Sequence, residues 1–143
     1  MLVSHILRQK GRDVVSVAPA TALAEAAHTL AKRKIGAVVV LGSGGEVAGI
    51  LSERDIVHAL ARDGEKALSR AVHAYMTSAV ATCEATDSIE KIMETMTKGR
   101  FRHLPVIEDG RLIGIVSIGD AVKTRIEESE REASHLKQYI ATG

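Results

Sequence analysis

Cysteine and aromatic residues are scarce in this chain of 143 residues: one cysteine, two tyrosines, one phenylalanine and no tryptophan. The lone thiol, Cys83, excludes an internal disulfide and any multi-thiolate metal cage within one chain, so structure must come from packing alone. With only Tyr75, Tyr139 and Phe101 as aromatics, the core must be built from Val, Ile, Leu, Ala and Met, and aliphatic layers suit an α/β fold. A long apolar run is also missing at the N-terminus, where Ser4, His5, Arg8 and Lys10 interrupt it. No signal peptide or membrane helix is read there, and a cytoplasmic location is expected. Charge of one sign is lacking too. A net charge of +1 gives no general pull toward nucleic acid or an anionic membrane. What remains is an ordinary globular composition, 45% apolar and 26% charged, long enough to bury about two-thirds of the surface its unfolded form exposes.

The chain repeats itself. Residues 15–41 match residues 81–107 at a constant offset, pairing Ser16 with Thr82, Leu23 with Ile89, Ala26 with Ile92, Leu30 with Met96 and Val40 with Val106. The offset then falls by one residue, and Gly49, Ser52 and Asp55 correspond to Gly114, Ser117 and Asp120. The lost residue lies in a turn, where loss is tolerated. Each copy predicts a short strand (Val14 to Val17, Val80 to Cys83) and a helix capped at Thr21 or Asp87, the latter with Glu90 as a capping box. One face of the helix carries Leu23, Ala26, Ala27 and Leu30, or Ile89, Ile92, Met93 and Met96, and is expected to be packed. Two paired strands follow, Ala37 to Leu41 with Val47 to Leu51, and His103 to Ile107 with Leu112 to Val116. The run Gly42-Ser43-Gly44-Gly45 joins the first pair, and Asp109-Gly110 gives the second a tight hairpin turn.

A closing helix ends each copy. The first runs from about Glu53 to Ala61, stopped by Asp63-Gly64, and the second continues past Asp120 into a long polar segment from Lys123 to Tyr139 that reads as an exposed helix. Neither copy covers its own sheet, so two β-α-β-β-α repeats are expected to stack about a pseudo-twofold axis as one module. Residues 1–70 form the first repeat with its N-terminal segment, and residues 71–143 the second with its C-terminal helix.

The strongest local signal is a strand ending in Gly, two apolar residues and Ser, with Asp three positions on at a helix start. It occurs as Gly49-Ile50-Leu51-Ser52-Glu53-Arg54-Asp55 and as Gly114-Ile115-Val116-Ser117-Ile118-Gly119-Asp120. A Ser N-cap with a carboxylate at the third helical position contributes roughly 1 kcal/mol without any ligand. That accounts for Ser and Asp but not for the same flanking Gly in both copies. The arrangement also aims amides, a hydroxyl and a carboxylate at one cleft, where a carboxylate accepts from ribose hydroxyls while hydroxyl and amides donate to phosphate.

These paired motifs resemble the tandem cystathionine-β-synthase (CBS) domain family, the CBS-domain pair of stand-alone bacterial type, over nearly the whole chain. The resemblance implies an adenine-nucleotide ligand, AMP first, with ADP, ATP or NAD(H) as alternatives. It places Asp55 and Asp120 on ribose, with Ser52 and Ser117 beside them. The segment Arg100-Phe101-Arg102-His103-Leu104-Pro105-Val106 looks like the family stretch that reaches ligand phosphates, so Arg102 and His103, with Leu104 and Pro105, join the candidates. Against this, Arg102 also fits a solvated turn beside a strand. The matching first-copy stretch offers Gly36 and Ala37, which allow close backbone approach but no charge, and inequivalent sites are expected. Ser16 and Thr82 are implied as hydroxyl contributors, whereas Tyr75 and Met76 read as packing residues.

Catalysis is not indicated. The six histidines show no metal pair, no nucleophile, base and orienting acid come together, and the glycine run joins two strands instead of opening a helix. The reading is a regulatory, energy- or redox-sensing binding module without a metal, a homodimer acting on a separate protein. The alternative is a ligand-free scaffold that presents its charged C-terminal helix for assembly.

Overall fold

The computed structural model describes residues 1–142. Along the chain the elements are α1 (Val3–Lys10), β1 (Ser16–Val17), α2 (Leu23–Arg33), β2 (Ala37–Leu41), β3 (Val47–Ser52), α3 (Glu53–Asp63), two 3₁₀ turns (Gly64–Ser69 and Val72–Ala74), α4 (Ile89–Gly99), β4 (His103–Glu108), β5 (Arg111–Ser117) and α5 (Ile118–Thr142). The chain is mixed α/β, and no helix among the described residues is long and apolar enough to cross a membrane. Contacts divide it into two compact units, one of residues 13–80 with 107–113, the other of residues 1–12, 81–106 and 114 onward. This membership differs from division by sequence repeat, because the stretch leading into each repeat packs with the other one.

In the unit of residues 13–80, β2 is the central strand, parallel to β1 and antiparallel to β3. Its run Ala37, Val38, Val39, Val40 is buried throughout, as a strand covered on both faces must be. Leu23, Ala26 and Leu30 project from one face of α2 onto Val38, Val40 and Leu51, joined by Ala59, Ala67 and Val72. The predicted Thr21 cap does not form. Ala22 is the N-cap without a side-chain bond, while Thr21 Oγ1 accepts from the Ala18 amide in the preceding turn. The start of α2 is held instead by the connector, the Leu23 amide donating to Arg70 O at 2.9 Å and the Val72 amide to Thr21 O at 2.8 Å.

The other unit builds the same device from the N-terminus. Here the Ile89 amide donates to Met1 O at 3.0 Å, and the Val3 and Ser4 amides donate to Asp87 O and Ala85 O. Met1 plays toward α4 the part that Arg70 plays toward α2. Ser88, not Asp87, caps α4 by accepting from the Lys91 amide, and Glu90 reaches Arg125 on α5 in place of closing a capping box. Asp87 turns back to accept from the Glu84 amide and pairs with Lys91. Lys34 and Arg100, equivalent in the repeat, end α2 and α4 in the left-handed conformation with φ of 56° and 57°. β4 and β5 form a two-stranded sheet through Asp109 and Gly110, both at positive φ as a tight hairpin requires.

The predicted strand from Val80 to Cys83 is reduced to a single parallel bridge, Cys83 with Val106. Its counterpart β1 pairs over two positions, and there the Val39 amide donates to Val15 O at 3.3 Å. The residue equivalent to Val39 is Pro105, which has no N–H to give Ala81. Replacing Pro105→Val therefore should lengthen the bridge, with the new amide at position 105 protected in hydrogen exchange. Rapid exchange there would show that the proline ring is not what shortens the strand.

Candidate functional site

Each unit contains one strand-to-helix corner. In the first, Ala37 is the register partner of Ser52, and Gly36 O accepts from the Glu53 amide at 3.0 Å. Ser16, exposed on β1, lies in register with Val39, two positions along β2 from Ala37. Ser16, Gly36, Ala37, Ser52 and Asp55 are thus brought to one end of the sheet. Ala37 is buried, which leaves its backbone as the part a ligand could meet.

The second corner repeats the geometry: Arg102 O accepts from the Ile118 amide at 2.8 Å, and Pro105 O accepts from the Cys83 amide at 3.0 Å. Thr82 and Arg102 are exposed and His103 half-buried, so these three side chains reach the surface of the corner. Leu104 and Pro105 are buried. Cys83 lies beneath them, where burial, reinforced by Asp87, pushes the thiol up to about 12 and keeps it protonated at neutral pH.

Both motifs close as capping boxes. The Ser52 amide donates to Asp55 Oδ2 at 2.9 Å and the Asp55 amide to Ser52 Oγ at 3.3 Å. In the second copy the Ser117 amide donates to Asp120 Oδ2 at 2.8 Å and the Asp120 amide to Ser117 Oγ at 3.1 Å. Each bond satisfies an amide that the first helical turn would leave unpaired. The carboxylates remain half-buried at the helix starts, with lone pairs left to accept further donors.

Those further donors come from residues that the repeat pattern did not mark. Thr77 Oγ1 donates to Asp55 Oδ1 at 3.3 Å, and Lys10 Nζ lies 2.6 Å from Asp120 Oδ2. Both belong to the leader of a repeat, and extending the internal alignment backward would have set them nearly opposite each other. The flanking glycines explain how leaders get so close. A Cβ on Gly49 would sit 2.7 Å from Thr77 O and 2.8 Å from Met76 Sδ, and one on Gly114 would sit 2.6 Å from a methyl of Leu7. Tyr75, expected as packing, lies against the core with Met76 and also donates to Asp63 Oδ2 at 2.7 Å.

A scan against family models matches the CBS domain twice, at residues 3–62 and 72–127. The chain belongs to the CBS-domain family. It is similar to the crystal structure of the CBS-domain-containing protein ATU1752 from Agrobacterium tumefaciens, at 50% identity and a TM-score of 0.85, over 87% of this chain and 99% of that one. It is similar also to the CBS domain protein PAE2072 from Pyrobaculum aerophilum complexed with AMP, at 28% identity and a TM-score of 0.75, over 84% and 89% of the two chains. A third likeness is to the CBS domain pair of protein MJ0100 in complex with 5′-methylthioadenosine and S-adenosyl-L-methionine, at 25% identity and a TM-score of 0.80, over 90% and 98%.

The two CBS corners differ electrically. Burial pushes the Asp120 carboxyl up, but Lys10 and the amide and hydroxyl of Ser117 outweigh it and hold the group below its ordinary value. A carboxyl lowered on folding adds stability that is complete above the unfolded value and lost as pH falls through the folded one. The part owed to Lys10 should follow the same course. Lys10→Met is expected to cost about 0.5 kcal/mol near pH 7 in urea unfolding, as for a part-exposed ion pair. The gap should close as pH falls below about 4. A gap that stayed constant with pH would assign Lys10 a packing role only.

Proposed function

We propose that this chain is a regulatory module that binds an adenine nucleotide, AMP first, at the corners carrying Asp55 and Asp120, and acts without catalysis on a separate protein as a cytoplasmic homodimer. The observation that carries this reading is the duplicated capping box, which fixes a carboxylate at a helix start and leaves it able to accept from a diol. AMP, 5′-methylthioadenosine and S-adenosyl-L-methionine, named in the complexes of two similar structures, share adenosine and differ beyond its 5′ carbon. Recognition through ribose hydroxyls suits that common part. The second corner adds Arg102 and His103 at the start of β4, and a phosphate-bearing ligand is assigned there, with ADP, ATP or NAD(H) as longer variants. The first corner offers Gly36, Ala37 and Thr77 and accommodates adenosine without favouring phosphate.

One observation favours a second reading, that of a ligand-free scaffold: Thr77 and Lys10 already donate to the two carboxylates, which meets part of their need without a ligand. Calorimetric titration with AMP, ADP, ATP, NAD(H), 5′-methylthioadenosine and adenosine separates the two. A ligand at 100 times its dissociation constant should stabilise the fold by about 2.7 kcal/mol. Asp120→Ala should weaken AMP binding about ten- to a hundred-fold, the worth of a charge-assisted hydrogen bond, with adenosine at the first corner unaffected. Silence toward the whole panel would leave the scaffold.

A further inference from the structure

Helix α5 outruns the unit it starts in. Its early turns are packed, with Ala121 and Thr124 buried and Glu128 beside the Met1 ammonium at 3.5 Å. From residue 129 to residue 141 every position is exposed. An isolated helix of that length is marginal in water. Yet Val122, Ile126, Ser129, Ala133, Leu136 and Ile140 follow one another at alternating steps of four and three, the a and d positions of a heptad. The four large ones among them are 40% to 70% exposed. The other side of the helix is polar, where Glu127, Arg131, Ser134, His135 and Gln138, with Glu130 at the edge next to the seam, line an open groove of about 530 Å³ with Gln9. The apolar seam therefore faces away from the unit.

The charges beside the seam identify what covers it. Arg125 and Glu132 occupy g positions, and Glu130 and Lys137 occupy e positions. In a parallel pair, g meets the e position five residues on in the other chain. A second copy then supplies Glu130 to Arg125 and Lys137 to Glu132, each pair of opposite sign and each made twice by symmetry. Arg125 already bonds Glu90 at 3.1 Å, but a guanidinium has five donors to share. An antiparallel pair with the same apolar layers, Ile126 on Leu136 and Val122 on Ile140, sets Glu130 against Glu130 and Lys123 against Lys137. Like charges disfavour it.

We infer that α5 pairs with α5 of a second copy as a short parallel coiled coil, and that this seam joins the homodimer. The inference rests on the homodimer reading above and not on the nucleotide reading. In sedimentation equilibrium on the full chain, Leu136→Glu should shift the dimer to monomer while the circular dichroism of the folded unit is kept, since position 136 lies outside the core. Glu132→Lys should weaken the dimer about ten-fold, turning two attractions into repulsions, and adding Lys137→Glu should restore it. On mild oxidation Leu136→Cys should cross-link to itself, with buried Cys83 staying out. A dimer untouched by Leu136→Glu overturns the seam and leaves the homodimer standing. Cross-linking that requires Ile126→Cys in one copy and Leu136→Cys in the other overturns the parallel register. A wild-type chain that is monomeric at every concentration overturns the homodimer reading itself.

Discussion

Close approach of a leader at Gly49 and Gly114, by the Thr77 backbone at the first and by the Leu7 side chain at the second, is the constraint on which both corners depend. A methyl group at either position would stand inside van der Waals distance of Thr77 O or of Leu7, and a carbonyl oxygen cannot move aside as the end of a long side chain can. Because the space is kept empty, the leader of the second repeat lies along β3, and Leu7 of the other leader packs over Gly114 of β5. The Ile50 amide and carbonyl bond Thr77 there, at 2.9 Å each way. From that contact the rest follows. The leader ties the start of α2 or α4 through Arg70 or Met1, and it sets a donor on the carboxylate of the capping box.

On the proposed reading, holding and recognising would be done by the same atoms. The capping box orders Asp55 and Asp120 in advance of any ligand, so little conformational freedom is left to lose on binding. On the same reading, the leader donors are what a ligand reaching the same oxygen would exchange. At Asp55 it exchanges a hydroxyl bond of 3.3 Å, and at Asp120 an ammonium at 2.6 Å. Displacing the ammonium from a carboxylate is the harder of the two, unless the ligand brings an anionic group of its own for Lys10 to meet. Arg102, exposed at the same corner, adds to that preference. The first corner, with Gly36 and Ala37 in its place, has nothing equivalent. Inequivalent chemistry thus arises from two copies of one fold through a handful of substitutions.

What could be read in the sequence was what local pattern determines. The buried face of each first helix, the four longer strands, the Asp109-Gly110 turn and the Ser-to-Asp spacing all depend on residues a few positions apart, and the structure has them. What escaped depends on distant backbone. Thr21 and Asp87 look like caps, yet the connector carbonyl at Arg70 and the terminal carbonyl at Met1 hold those helix starts, and no local pattern encodes them. The strand at 80–83 is reduced to one bridge opposite a strand that carries Pro105, a residue outside its own local pattern. Lys10 and Thr77 lie outside the matched segments, and only the glycines, noticed but unexplained by capping, hinted that something passes close.

The crossing of leaders also gives the two corners a covalent connection. Lys10, bonded to Asp120, is followed a few residues later by Ser16 of the first corner, and Thr77, bonded to Asp55, by Thr82 of the second. A ligand that competed for one carboxylate, as proposed, would therefore act on the chain that enters the opposite repeat. Such a ligand couples the corners only to the extent that it binds the displaced and the held leader with different affinity. The ammonium at Asp120 makes that difference larger than the hydroxyl at Asp55 does. By linkage any such coupling would act equally in both directions, a ligand at either corner changing affinity at the other by the same factor.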